Sequence, residues 1–281
     1  MIYIKRFLYT TLYEDFKNSS SYKEPCVIKI GTPGVNDEST IVKYNLAASG
    51  GQQEVYTLLR HWDGTTNPSS NQWKDKIANQ YWSLSGSPTH GTGYYEFANT
   101  NPASASKYGT LNGTLPDLGY HWKIVADVAF QTRSSNPTTF IPIDFGSVGS
   151  VSAGKCAVCC GWSSGNGKFA PNAKFNGNDS APTYNPDFAT MSAESITTSQ
   201  VWIRRTVSFG VRASGISGKD IMFVYIPEKG EAVTSTPFTP IRFNRWESSK
   251  SFLARSQIAP SNSYKFSTYC RIYDIKVYGT A

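Results

Sequence analysis

Residues 120–130 read YHWKIVADVAF, which puts Tyr120, Trp122, Ile124, Ala126, Val128 and Phe130 on one face and His121, Lys123 and Asp127 on the other. A two-residue period of this length is that of a half-buried strand, because a helix would scatter the same apolar positions around its circumference. The period returns at residues 201–213 (VWIRRTVSFGVRA), where Val201, Ile203, Val207, Phe209 and Val211 oppose Trp202, Arg204, Thr206, Ser208 and Arg212. Gly215 and Gly218 then supply a turn, residues 220–226 (DIMFVYI) a further strand, and residues 227–230 (PEKG) its close, which together predict a β-hairpin. Helical periodicity is confined to a short turn near residues 12–18.

Further strands are predicted at residues 27–30, 40–46, 55–62, 94–97, 140–145, 156–162, 241–244, 251–255 and 270–278, separated by clusters of Gly, Pro, Asn and Ser. More than ten short strands with turn-rich connections imply two antiparallel sheets packed face to face. Composition agrees: aromatic residues make up 14% of the chain and charged residues 17%, a balance that favours strands. The long polar insert at residues 161–199 has few aliphatic residues and is expected to be loop-rich, a place where binding functions often reside.

Several function classes are disfavoured at this stage. Residues 1–16 alternate charged and aromatic types with no apolar stretch of secretory-signal length, so no export is expected. Nowhere do about 18 apolar residues run together, so no membrane insertion is expected. The net charge of +7 would suit a nucleic-acid partner, but the 27 basic residues are scattered with no run longer than Arg204–Arg205, which reads as a solvated basic surface.

Five cysteines leave at least one thiol unpaired or bridging chains. Cys156, Cys159 and Cys160 crowd together while Cys26 and Cys270 stand apart. His61, His90 and His121 lie at no ligand spacing from them, so the thiols read as structural, with a disulfide or a metal as alternatives.

Two passages carry a family resemblance. Residues 270–279 (CRIYDIKVYG) resemble the closing strand of laminin-G-like, concanavalin-A-like jelly rolls, which commonly ends in a pattern similar to G-R-I-Y-D-V-K-I-Y; here Cys270 replaces the usual Gly. Residues 58–64 (LLRHWDG), 73–77 (WKDKI) and 94–97 (YYEF) are similar, in order and spacing, to the opening of the same domains: a strand ending in D-G, a W-x-D turn and a Y-x-x-F strand. The resemblance implies an all-β jelly roll over residues 55–281, preceded by an N-terminal extension, residues 1–54, acting as an anchoring or inter-subunit segment. It extends to structural proteins of tailed phages of gut bacteria.

What this implies is a non-enzymatic virion protein: a head fibre, capsid decoration or tail fibre, assembled in the host cytoplasm as a homo-oligomer among other virion proteins. The alternative is an extracellular bacterial carbohydrate-binding module or adhesin. Glycosidases on this fold show a compact E-x-D-x-x-E strand. None is present, and Glu96, Asp127, Asp144 and Glu194 stand singly. No nucleophile elbow is expected, and the three histidines read as structural. Calcium ligands are conceivable at residues 176–179 with Asp187, or at Asp63 with Asn67, but Asn and Asp are also the commonest turn formers, so no metal or other cofactor is assigned. Host-surface or mucus glycans need an exposed aromatic platform flanked by polar groups, and Trp162 and Trp246 are the candidates.

Overall fold

A computed structural model describes residues 27–28, 42–44, 54–66, 71–98, 107–132, 139–146, 155–165, 168–176, 189–190, 194–195, 202–234, 236–246, 251–255 and 268–280, with the backbone alone at 27–28, 42–44, 132, 139–141, 160–165, 168–176, 189–190, 194–195, 255 and 268–269. The chain clusters into two compact units, Met1–Val55 and Tyr56–Ala281. In the first, β1 (Val27–Ile28) pairs antiparallel with β2 (Val42–Tyr44). The helical turn expected at residues 12–18 lies outside the described residues.

The second unit is an all-β sandwich of two antiparallel sheets. In spatial order the first sheet holds β3 (Val55–Asp63), β19 (Thr268–Gly279), β9 (Trp122–Thr132), β15 (Ile203–Ala213), β16 (Asp220–Ile226) and β17 (Gly230–Val233). Beside β3, β7 (Tyr94–Ala98) also pairs with β19, and β6 (Thr89–Gly91) pairs with β7. The second sheet holds β13 (Ala189–Thr190), β12 (Lys168–Asn176), β11 (Ala157–Gly165), β10 (Thr139–Phe145), β18 (Phe252–Arg255), β8 (Tyr108–Leu111), β5 (Tyr81–Ser85) and β4 (Gln72–Lys74), with β14 (Glu194–Ser195) on β12.

The alternation read from the sequence decides which side chains meet between the sheets. Trp122, Ile124, Ala126, Val128 and Phe130 of β9, Val207, Phe209 and Val211 of β15, and Ile272, Ile275 and Val277 of β19 are all buried in one core with Trp82, Leu111, Phe145 and Leu253 of the second sheet. Trp62 of β3 reaches across to Trp82 and Phe145, with ring centroids 5.6 and 6.4 Å away. The last strand lies between β3 and β9, inside its sheet, as its sequence implied. A bulge between Ile272 and Asp274 inserts Tyr273 without a partner on β9. This extra residue faces outward together with Arg271 before it and Asp274 and Lys276 after it, while Ile272 and Ile275 both stay at 0% exposure.

Two expectations are corrected. Residues 241–244 form no strand: Phe243 is a core residue held by single backbone bonds, its N–H donating to Gly119 O and its carbonyl accepting from Leu118 N. Pro237 and Pro240 precede it and interrupt any ladder. The insert at 161–199 is not merely loop, since β12 pairs with the whole length of β11 from Ala157↔Asn176 to Gly165↔Lys168.

The motifs behind the resemblance converge on one corner of the core. Trp73 is fully buried, its Nε1–H donates to Asp63 O at 3.0 Å, and its ring lies 4.7 Å from that of Tyr95. Tyr95 donates its hydroxyl to Thr66 O, and burial pushes its pKa well up. Gly64 permits this closure, because a Cβ there would lie 2.6 Å from both Gly93 O and Tyr273 O. Trp82, equally buried, has no hydrogen-bond partner for its Nε1–H among the described residues. Trp73→Phe should therefore cost more than Trp82→Phe, by about 1–2 kcal/mol, since the first removes a buried hydrogen bond and the second removes an unmet donor. Urea denaturation of the two variants measures the difference, and equal costs would contradict the argument.

Candidate functional site

The outward face of the first sheet carries a ladder of stacked side chains from three strands and one strand end. Ala129 of β9 pairs with Arg204 of β15 on one side and Arg271 of β19 on the other, so two arginines flank one alanine. The small methyl, 1% exposed, leaves room for both side chains to lie over the sheet. Like charges so placed repel, and the neighbouring residues offset this. Arg204 Nε and Nη2 donate to the two carboxylate oxygens of Asp127 at 2.9 and 2.6 Å, which raises the Arg204 pKa above its ordinary value. Arg271 Nε donates to Glu96 Oε2 of β7 at 2.7 Å.

Aromatic rings fill the spaces between the charges. The guanidinium of Arg271 stands 3.9 Å from the ring centre of Trp202, just before β15, and 4.6 Å from that of Tyr94. Arg204 stands 3.6 Å from Tyr273, the residue inserted by the bulge, and Tyr273 lies 5.2 Å from Tyr94. Cation–π contacts hold both planar groups, with bidentate pairing to Asp127 added for Arg204 and a single bond to Glu96 for Arg271. The face stays open to solvent: Arg204 is 55% exposed and Arg271 24% by side chain. A rigid set of planar faces rimmed by N–H donors and carboxylate acceptors is suited to binding a ligand with both apolar and polar sides.

Most of the described carboxylates outside the ladder are engaged in the scaffold. Asp117 meets Arg242, Glu231 meets Arg212, Asp274 meets His61 and Lys276, and Asp220 meets His121. Burial disfavours ionisation of Asp63, yet the Lys76 ammonium at 2.6 Å and the Thr65 N–H outweigh it and hold the carboxyl at about 2. Of the four carboxylates that stand singly in the sequence, Glu96 and Asp127 belong to the ladder and Asp144 is buried in β10, while the Glu194 side chain lies outside the described residues. His90 Nε2 contacts Gly64 O at 3.0 Å, so all three histidines touch the scaffold.

Trp246 is not a platform. It is 5% exposed, sits 6.1 Å from the Phe243 ring, and its Nε1–H donates to Pro116 O, so the indole is core while its neighbours Asn244 and Arg245 are exposed. Trp162 lies on β11 opposite Phe140 and Pro171, and its side chain is outside the described residues, as are Asn67, residues 177–179 and Asp187. Residues 161–165 (GWSSG) have the G-x-S-x-G spacing of a nucleophile elbow, a match the sequence reading passes over. An elbow needs a sharp strand-to-helix turn, whereas these residues run as continuous strand paired with β12. Cys156, Cys159 and Cys270 are buried thiols outside any disulfide, and burial pushes the Cys270 pKa far up; Cys26 and the Cys160 side chain lie outside the described residues.

No family model matches the chain, and no curated protein matches it by sequence. Among solved structures it is similar to the binding domain of botulinum neurotoxin serotype C1 (14% identity, TM-score 0.46, covering 79% of this chain and 48% of that one). It is also similar to the alginate lyase Aly36B (11%, 0.42, covering 79% and 96%) and to the mannose- and calcium-bound exoplasmic domain of VIP36 (11%, 0.37, covering 70% and 82%). The chain spans about half the length of the neurotoxin chains it matches.

Proposed function

We propose that the chain is a non-enzymatic virion structural protein of a tailed phage, a head fibre, capsid decoration or tail fibre. It assembles as a homo-oligomer and presents the sandwich as an adhesive domain toward host-surface or mucus glycans. The observation that carries the adhesive part is the partly exposed ladder of Trp202, Arg271, Tyr94, Tyr273 and Arg204, a surface organised for contact. The virion part rests on the sequence resemblance at both ends of the sandwich. Residues 1–54 act as the anchoring or inter-subunit segment, and many copies on one particle multiply a modest single-site affinity.

Deleting residues 1–54 tests this reading. The truncated chain should keep the far-ultraviolet signature of a β-sandwich while its sedimentation coefficient falls to that of a monomer and it no longer joins particles. A truncated chain that still assembles would remove the anchoring role. A full-length chain that sediments as a monomer and binds glycans would point instead to a free carbohydrate-binding module.

A further inference from the structure

We infer that the ladder binds a carboxylated sugar, a uronate or sialate unit of an acidic polysaccharide, with Arg204 and Arg271 as the groups that recognise its carboxylate. The inference rests on the adhesive reading above and names its ligand class. Its first ground is donor capacity. Each guanidinium carries five N–H groups, and the bonds from Arg204 to Asp127 use two of them. Arg271 uses its Nε–H on Glu96 and makes a further side-chain hydrogen bond with Tyr273. These bonds hold both guanidiniums in place and leave N–H donors beyond them, which an acceptor-rich ligand can meet.

Placement is the second ground. Arg204 and Arg271 stand on the two strands that flank β9, on either side of Ala129, so one ligand lying across that strand can meet both guanidiniums. Stacking against Trp202, Tyr94 and Tyr273 holds both guanidiniums rigid before a ligand arrives, so little side-chain freedom is lost on binding. Arg is the residue suited to bidentate recognition of carboxylates, and a Lys there would keep the charge but lose the fork. The sugar ring, with an apolar face and hydroxyl rim, then lies against the aromatic edges, while Thr206 and Ser208 continue the outward row of β15 with hydroxyl groups.

The test is affinity electrophoresis of the full-length chain through gels containing polygalacturonate, polysialic acid, dextran or polyglutamate. Polygalacturonate or polysialic acid should retard the chain, and whichever does so identifies the source of the carboxylate; dextran and polyglutamate should not. Arg204→Gln and Trp202→Ala should weaken retention at least tenfold, and Arg204→Lys by an intermediate factor. Lys74→Gln, which removes one exposed charge from β4 on the other sheet, should change it less than twofold. Arg204 is exposed enough that its variants fold, which circular dichroism confirms. Retention by dextran that depends on Trp202 would overturn the acidic ligand and keep the adhesive reading. Polyglutamate as effective as the sugars, or Lys74→Gln as damaging as Arg204→Gln, would reduce the effect to net positive charge and overturn the inference. No retention by any polymer would overturn both, and if Arg204→Gln then lowered the oligomer's mass, the ladder would be a contact between copies.

Discussion

Replacing Asp75 with alanine should lower the unfolding free energy by about 3 kcal/mol, and replacing it with asparagine by less than half as much. Asp75 is the acid of the W-x-D turn, and its side chain is fully buried beside Arg60 Nε at 3.4 Å. Its Oδ1 accepts the backbone N–H groups of His61 at 2.8 Å and Ile77 at 3.0 Å, and its Oδ2 that of Ala78 at 3.2 Å. One carboxylate therefore joins β3 to the turn after β4 and satisfies donors that would otherwise be buried unmet. Burial raises its pKa more than those N–H groups and Arg60 lower it, so ionisation is harder in the folded protein than in the unfolded chain. The sign follows from linkage: stability contributed by a carboxyl with a raised folded-state pKa is fully present below the unfolded value and declines as pH rises through the folded one. Asparagine keeps the Oδ1 acceptor without a buried charge, which is why it should rescue most of the loss at neutral pH. Urea midpoints at pH 7 for the three proteins decide the matter, and an alanine variant within 1 kcal/mol of the parent would show that water reaches these donors after all.

The parts of the fold that were legible are those where one strand's own side chains state their environment. In β9 the alternation is long and uninterrupted, in β15 it is broken only by Arg205 between Ile203 and Val207, and in β19 the apolar positions before and after the bulge identify a strand covered on one face. The insert failed for a local reason. β12 reads KFAPNAKFN, and Pro171 with the small and amide residues around it dilutes a two-residue pattern carried by Phe169, Ala173 and Phe175. The site was less legible still. The alternation puts Trp202 and Arg204 on the face of β15 opposite Val207 and Phe209, but their partners Arg271, Tyr273, Tyr94 and Glu96 come from β19 and β7, and only strand order and the bulge at Tyr273 bring them together. Trp246 misled because flanking polar residues describe the neighbours' exposure, and an irregular segment has no fixed period from which the indole's side could be read.

Gly210→Ala should be the most damaging single methyl group that can be added to the described sandwich, at about 3–4 kcal/mol. Gly210 lies on β15 directly opposite Lys123 of β9, in the row that faces outward. A Cβ there would sit 2.1 Å from Trp122 O and 2.8 Å from Lys123 Cα, both backbone atoms of a central strand, so no side-chain rotation relieves the clash. The strands would have to separate where Lys123 is itself buried, its ammonium 4.8 and 4.9 Å from the rings of Tyr56 and Tyr278. Tyr278 is the β19 partner of Lys123, so any shift of β9 there is transmitted across three strands. Gly215→Ala in the β15–β16 turn is the control: its φ of +83° imposes a left-handed strain of about 1–2 kcal/mol, but nothing lies within 4 Å of the added methyl. Thermal and urea denaturation should therefore rank Gly210→Ala well below Gly215→Ala, with the former expressed poorly or unfolded near physiological temperature. A Gly210→Ala variant as stable as the turn variant would mean that β9 and β15 can part at this register without loss, and that the close approach of their backbones is not what holds the first sheet together.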